Sequence, residues 1–421
     1  MRVGSSPQRG GHVATAPPPP FMAEHPVPVS RELYAKPLRE RLDSIDLLRG
    51  LVMVVMALDH ARDYFTESRF DPLDLSQTTI PLALTRWITH FCAPVFVFLA
   101  GTGAYLSLSR GKSRPALSRF LLTRGLWLVF LELTVVRFAW EFNMNYTVPF
   151  VQVIWAIGWS MIALSALVHL PSRVVGTFGV AMIAVHNVLD GVDPGRLGIF
   201  GWPWQVLHVF GPIVYAPGRV FFIAYPLIPW IGVMAAGFAF GEIFTLERRR
   251  RTRALYVLGG GLIVLFAFLR AFNLYGDPLP WTAQSTAGLT VISFLNCLKY
   301  PPSLLYLAMT LGPAIAVLPL LEKWKGKSAG FFLVFGRVPM FYYILHIYLI
   351  HLLAVGTAAV MGFNVSFLLA APFFTPPAPG WGFGLPAVYA FWAATVLVLY
   401  PACRWFAAVK KRRHDPWLSY L

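Results

Sequence analysis

Four ionisable side chains interrupt one apolar stretch of this chain. They are Asp59, His60, Arg62 and Asp63, above Arg49, within RLDSIDLLRGLVMVVMALDHARDYF at residues 41–65. On a helix the eleven-position step from Arg49 to His60 returns to within about 20° of one face and rises roughly 16 Å. Asp63 lies one turn beyond His60, in reach at i, i+3, and Asp59 flanks the histidine on its other side. A carboxylate beside an imidazole fixes its tautomer and raises its basicity, which suits a general base. Charged groups in lipid are costly and face a cavity or one another. The pattern therefore predicts a polar path rising from Arg49, with His60 as base, Asp63 orienting it and Asp59 as the alternative.

Further residues fall where they could join that path. Arg86 and His90 open the second apolar segment at the level of His60. His346 lies mid-segment in YYILHIYLIH, and Lys299 precedes Pro301-Pro302. His346 and His351 are five apart, about 140° around a helix, so they do not make a His-x-x-x-His zinc pair. No Cys-x-x-Cys occurs among Cys92, Cys297 and Cys403, and no metal site is expected. Arg137 and Glu141 stand at i, i+4 and are expected to pair for structural reasons. The basic run Arg110, Lys112, Arg114, continued by Arg119 and Arg124, is the expected cradle for the phosphates of a cofactor or donor.

The elements that would carry these residues are membrane helices. The chain has 421 residues, 57% hydrophobic and 13% charged, with a net charge of +16 and a mean hydropathy of +0.61. Long apolar runs separated by short basic loops indicate an all-α polytopic membrane protein. The continuous runs argue against a β-barrel. Residues 1–40, with the PPPP run at 17–20, read as a disordered cytoplasmic tail. Residues 41–408 read as the membrane domain, and 409–421 as a basic cytoplasmic tail.

Ten spans are expected, near 46–65, 87–108, 119–139, 149–169, 173–189, 221–244, 254–272, 303–321, 331–360 and 385–407. Basic residues collect in alternate loops, after even-numbered spans, while the loop at 362–384 has no charge. That alternation places both termini in the cytoplasm of a plasma (inner) membrane and leaves the long loops outside. Residues 287–298 read as an interfacial half-helix. No basic, aromatic-interleaved patch lies outside the spans, which excludes a nucleic-acid partner.

The Arg49-x10-His60 spacing, on a first span entered through Arg41-Leu-Asp-Ser-Ile-Asp-Leu-Leu-Arg-Gly50, resembles the R-x10-H signature of the transmembrane acyltransferase superfamily. Within it the chain is most similar to the DUF1624 group, the catalytic domain of heparan-α-glucosaminide N-acetyltransferase. The supporting stretches are FVFLAGTG at 96–103, YPLIPWIG at 225–232 and FLNCLKYPPS at 294–303. The resemblance implies transfer of an acyl group, usually acetyl from acetyl-CoA, across the membrane onto a sugar or amino sugar. In the lysosomal member the active histidine is expected in the loop after the first span. Here the loop at 66–80 holds no histidine, so the role passes to His60 or to another residue. The expected partners are lipid, acyl-CoA and a sugar or glycan acceptor, with a homodimer left open. The alternative is a proton-coupled transporter or flippase working through a His60–Asp63 pair.

Overall fold

The computed structural model describes residues 42–370, 374–413 and 415–420, together with Met1 and Gly4. The expected tail at 1–40 thus falls outside the described residues, apart from those two. In chain order the helices are α1 Asp43–Phe65, α2 Ile80–Thr89, α3 Cys92–Ser109, α4 Arg114–Leu131, α5 Arg137–Glu141, α6 Val153–Leu167, α7 Ser172–Val185 and α8 Gly201–His208. There follow α9 Leu227–Phe240, α10 Arg248–Ala271, α11 Ala287–Leu295, α12 Leu304–Lys323, α13 Lys327–Arg337, α14 Pro339–Val360 and α15 Leu385–Arg412. Three short strands, β1 Phe150–Val151, β2 Gly211–Ala216 and β3 Arg219–Ile223, form one small sheet in the order β1-β3-β2.

Among the described residues, seven helices are long and apolar enough to cross a membrane, against ten expected. Each of the other three has a physical reason. α1 carries Asp43, Asp46, Arg49, Asp59, Arg62 and Asp63. The third expected span is α4 and α5 joined through a π-helical turn at Glu132–Val136, and its first half bears Arg114, Arg119 and Arg124. α6 has only 15 residues, short of the ~20 that a bilayer core needs. Two boundaries also move. The span expected from 221 begins at Leu227, because 219–223 is strand β3. The span expected over 331–360 is divided into α13 and α14 before Pro339.

The helices pack through reciprocal glycines. Gly50 of α1 faces Gly336 of α13, Gly101 of α3 faces the α9 backbone beside Gly237, and Gly125 of α4 faces Gly158 of α6. Gly179–Gly232 and Gly259–Gly312 repeat this between α7 and α9 and between α10 and α12. Without a water-driven hydrophobic force in lipid, close backbone approach and dispersion hold helices together. A Cβ on Gly125 would stand 2.6 Å from the Gly158 carbonyl, inside van der Waals contact. A Cβ on Gly336 would meet the Asp46 carbonyl of α1.

The long connections meet at one end of the bundle. Asn296 donates to the Leu73 carbonyl, Asn143 to Leu369, Tyr275 to Ala184 and Tyr215 to Tyr146. At the other end Arg251 pairs with Glu322 at 3.0 Å and Arg337 with Asp43 at 3.3 Å. The sheet lies at the long-loop end. The Pro217-Gly218 turn joins β2 to β3, with Gly218 at φ +69°, the position where such a turn requires glycine. The expected half-helix is present as α11. Buried Arg270 donates to the carbonyls of Leu279, Ser293, Phe294 and Asn296, which satisfies the open C-terminal end of α11. Asp277 accepts from the Leu298 amide at 2.9 Å and the Ser303 hydroxyl at 2.7 Å, and so holds the turn bearing Lys299 and Tyr300.

The α1–α13 crossing yields a paired test. Gly336→Ala is expected to cost about 3 kcal/mol through forced backbone displacement. Gly330→Ala on the same helix meets open space and should be neutral or slightly stabilising. Thermal unfolding in detergent compares the two; equal midpoints would refute the packing argument.

Candidate functional site

α1 runs through the middle of the bundle, and its side chains line two cavities in succession. Arg49, Met53 and Met56 border one of about 330 Å³. Met56, Asp59, His60, Arg62 and Asp63 border another of about 410 Å³. Met56, Phe96 and Val153 line both and so form the partition between them. The second cavity opens toward the long-loop end and takes its walls from Phe150 and Phe222 of the sheet, Tyr225, Phe210, Lys299 and Tyr300.

His60 is buried at this second cavity, and its neighbours fix its proton. His346 Nδ1 lies 2.8 Å from the Tyr342 carbonyl one turn back on α14. A carbonyl only accepts, so Nδ1 carries the hydrogen and neutral His346 keeps a lone pair at Nε2. His60 Nδ1 lies 2.8 Å from that Nε2 and must donate to it. Neutral His60 then presents its own lone pair at Nε2. The two rings are near parallel, at 7°, with centroids 4.9 Å apart. Trp140 packs edge-on against His60 at 4.9 Å. These contacts leave the imidazole little freedom to turn.

The expected orienter was Asp63, and here the structure differs. Asp63 is taken by Arg62 at 2.6 Å, while His346 holds the ring. Asp59 is likewise a structural anion. Both of its oxygens accept from Arg86 Nη1, at 2.8 and 2.7 Å, and Arg62 Nη2 lies 2.9 Å away. Geometry explains the change: Arg62 lies one turn above Asp59 and beside Asp63, and a guanidinium competes better for a carboxylate than a neutral imidazole does. The cavity wall balances three carboxylates, Asp59, Asp63 and Asp71, against Arg62, Arg86 and Lys299.

The other expected residues divide. Arg86 and Lys299 line the second cavity and Arg49 the first, where Arg49 also pairs with Asp46 at 2.9 Å. His90 is buried beneath Tyr306, both ring nitrogens lacking a partner among the described residues, and is not part of either lining. His351 bridges the carbonyls of Ala139 and Leu368 at 2.8 and 2.7 Å, a structural role. Arg137 and Glu141 form the expected pair at 2.8 Å. Of the expected phosphate cradle, Arg124 borders the first cavity, while Arg110, Lys112, Arg114 and Arg119 are not in its lining. Arg114 donates to the Val168 and Leu170 carbonyls, and Lys112 sits 4.0 Å over the Phe120 ring. The cations that do border the first cavity are Arg49, Arg124, Arg337 and Lys410. Sequence reading included Arg124 in the basic run but had no means of joining Arg337 and Lys410 to it, since they come from distant helices.

Asp59 should be the main electrostatic fastening of the second cavity. Asp59→Ala leaves Arg62 and Arg86 facing each other, with an expected loss of about 3 kcal/mol. Adding Arg86→Met should recover part of it. A double-mutant cycle on thermal stability reads the coupling, and additive losses would show that the pair does not interact.

No curated protein matches the chain. The family model described as "Heparan-alpha-glucosaminide N-acetyltransferase, catalytic" matches residues 41–274, which is more than half of the chain. The matched segment holds Arg49, Asp59, His60, Asp63, Arg86 and Arg124, while His346 and Lys299 lie beyond it. With a helical membrane bundle and a buried, oriented imidazole at a cavity beside that match, the chain belongs to the heparan-α-glucosaminide N-acetyltransferase catalytic family.

Proposed function

We propose that this protein moves an acetyl group from acetyl-CoA on the cytoplasmic side to a hydroxyl or amine of a sugar on the outer side. In this reading α1, the α4–α5 helix and α6 also cross the bilayer, completing ten spans. The basic end and both termini are cytoplasmic, and the long-loop end is outside. The observation that carries the reading is the pair of cavities along α1, separated by Met56, Phe96 and Val153. The first suits a coenzyme-A donor: Arg49, Arg124, Arg337 and Lys410 offer charge to phosphates, and Leu99, Ile154 and Met161 offer an apolar throat.

The second cavity suits an acceptor. Charged groups fixed in pairs can hydrogen-bond sugar hydroxyls, and the aromatic walls can pack against a sugar ring. His60 Nε2 takes the proton from the acceptor O–H or N–H as that atom attacks the thioester carbonyl. The new C–O or C–N bond forms, the C–S bond breaks, and the proton passes from His60 to the departing thiolate. His346 is a positioning residue that holds the reactive tautomer. The partition must open to let the thioester reach the base, and Met56 is the flexible member of that wall.

A transporter relying on a His60–Asp63 pair has less support, because Arg62 occupies Asp63. Proteoliposomes separate the readings. With labelled acetyl-CoA on the cytoplasmic face and glucosamine or a monosaccharide panel on the other, label should reach the acceptor. His60→Ala should slow transfer about a thousandfold, the usual reach of general base catalysis. Full transfer by His60→Ala sinks the assignment, and pH-driven solute uptake without transfer favours the transporter. Arg124→Ala combined with Arg337→Ala should raise KM for acetyl-CoA about tenfold or more with kcat little changed, the signature of lost ground-state binding. An unchanged KM would remove the donor from the first cavity.

A further inference from the structure

We propose that His186, Asp190 and His208 form a binding site for a zinc-class divalent cation at the long-loop end of the bundle. The three ligand atoms all lie within 4.8 Å of one another. His186 Nδ1 is 3.3 Å from His208 Nε2, and His208 Nε2 is 3.7 Å from Asp190 Oδ1. Tetrahedral zinc with bonds of about 2.0–2.2 Å sets neighbouring ligand atoms roughly 3.3–3.5 Å apart. The cluster is thus near coordination spacing before any cation draws it in.

Counting protons gives a second, independent reason. His208 Nε2 also lies 3.0 Å from the His186 carbonyl oxygen. With the His186 hydrogen on Nε2, a single N–H at His208 Nε2 faces three lone-pair atoms: that carbonyl, His186 Nδ1 and Asp190 Oδ1. Both histidines are 2% exposed, and His186 Nε2 has no partner among the described residues. Buried lone pairs facing one another without donors are costly. A cation accepts from all of them at once.

The surroundings resemble an outer shell that holds ligands in place. Asn187 Nδ2 donates to Asp190 Oδ2 at 2.9 Å, which leaves Oδ1 for the cluster. Asn187 Oδ1 accepts from the Leu304 amide at 3.0 Å, which ties the unit to the start of α12. Trp204 lies parallel to the His208 ring at 8° and 5.0 Å, which fixes its plane. Asp190 is at the surface, so a cation has a way in and water can complete its coordination. Two imidazoles with one carboxylate suit zinc, copper or nickel and disfavour magnesium and calcium, which prefer all-oxygen sites.

The placement suggests a consequence for the second cavity. His208 ends α8, and two residues later Phe210 stacks on Tyr300 at 5.3 Å. Both rings line that cavity. A cation joining His208 to the segment after α7 would clamp this part of the wall. The inference stands whether or not the chain transfers acetyl groups.

The test uses full-length, tag-free protein in detergent, stripped with chelator, dialysed and then offered zinc chloride alone. The expected result is about one tightly held zinc per chain by elemental analysis, with a rise in the unfolding midpoint. His208→Ala and the isosteric Asp190→Asn should each lose the bound zinc and the rise. Cobalt in place of zinc should give the visible absorption of a tetrahedral site in the wild type and not in the variants. If His208→Ala fails to fold, Asp190→Asn decides. Wild-type protein that holds no more zinc than a folded variant, or whose midpoint zinc does not move, overturns the proposal.

Discussion

A carboxylate placed deep in a membrane protein must find positive charge within the protein, and Asp59 finds it twice. Arg62 reaches it from one turn along the same helix, and Arg86 reaches it from α2. The desolvation of three charged groups is offset only if the helices carrying them are held at fixed separation. That requirement makes α1 a central helix, enclosed by α2, α3, α12, α13, α14 and α15. The glycine crossing at Gly50 and Gly336 brings α13 into backbone contact with it. The polar interior and the tight crossing therefore depend on each other: charges too costly for lipid need an enclosing bundle, and small residues let it close.

The same closure determines the chemistry. His60 is useful as a base only if its free lone pair faces the cavity. The position of that lone pair is set two hydrogen bonds away, by a backbone carbonyl on α14. Tyr342 fixes the tautomer of His346, and His346 fixes that of His60. A backbone carbonyl cannot change its protonation, so the order of donors cannot invert while both rings stay neutral. An aspartate orienter would have brought a further negative charge beside the imidazole. The observed arrangement uses a neutral group instead, and reserves the carboxylates for the guanidiniums that balance them.

Much of this was legible along the chain, and the limits have physical causes. The helical membrane class follows from composition. The Arg49–His60 face follows from helix geometry, and His346 was singled out for its depth. What periodicity cannot supply is the choice between competing partners. Asp63 is correctly spaced for His60, yet adjacent Arg62 claims it, and both outcomes satisfy the same spacing. The first-cavity cations Arg124, Arg337 and Lys410 lie in separate parts of the chain, and only the packing brings them together. The short strands were missed for a related reason. Residues 219–223 are apolar enough to extend the following span, and the Pro217-Gly218 turn with its pairing partners makes them a strand. The His186-x3-Asp190 spacing was available as a local signal, but its third member, His208 at the end of α8, reaches the segment after α7 only in the fold.

The division of the site between the two parts of the chain follows from these same distances. Residues 41–274 supply His60, its charged neighbours and Arg124. The remainder supplies His346, Lys299 and Tyr300 at one cavity and Arg337 and Lys410 at the other. Neither part lines either cavity alone, and the hydrogen-bonded pair His60 and His346 comes from α1 and α14. The Arg270 cluster explains how the distant part is held in register. One guanidinium on α10 gathers four carbonyls from α11 and its flanks, and Asp277 fixes the turn into α12. This network gives Lys299 and Tyr300 a rigid base at the rim of the cavity.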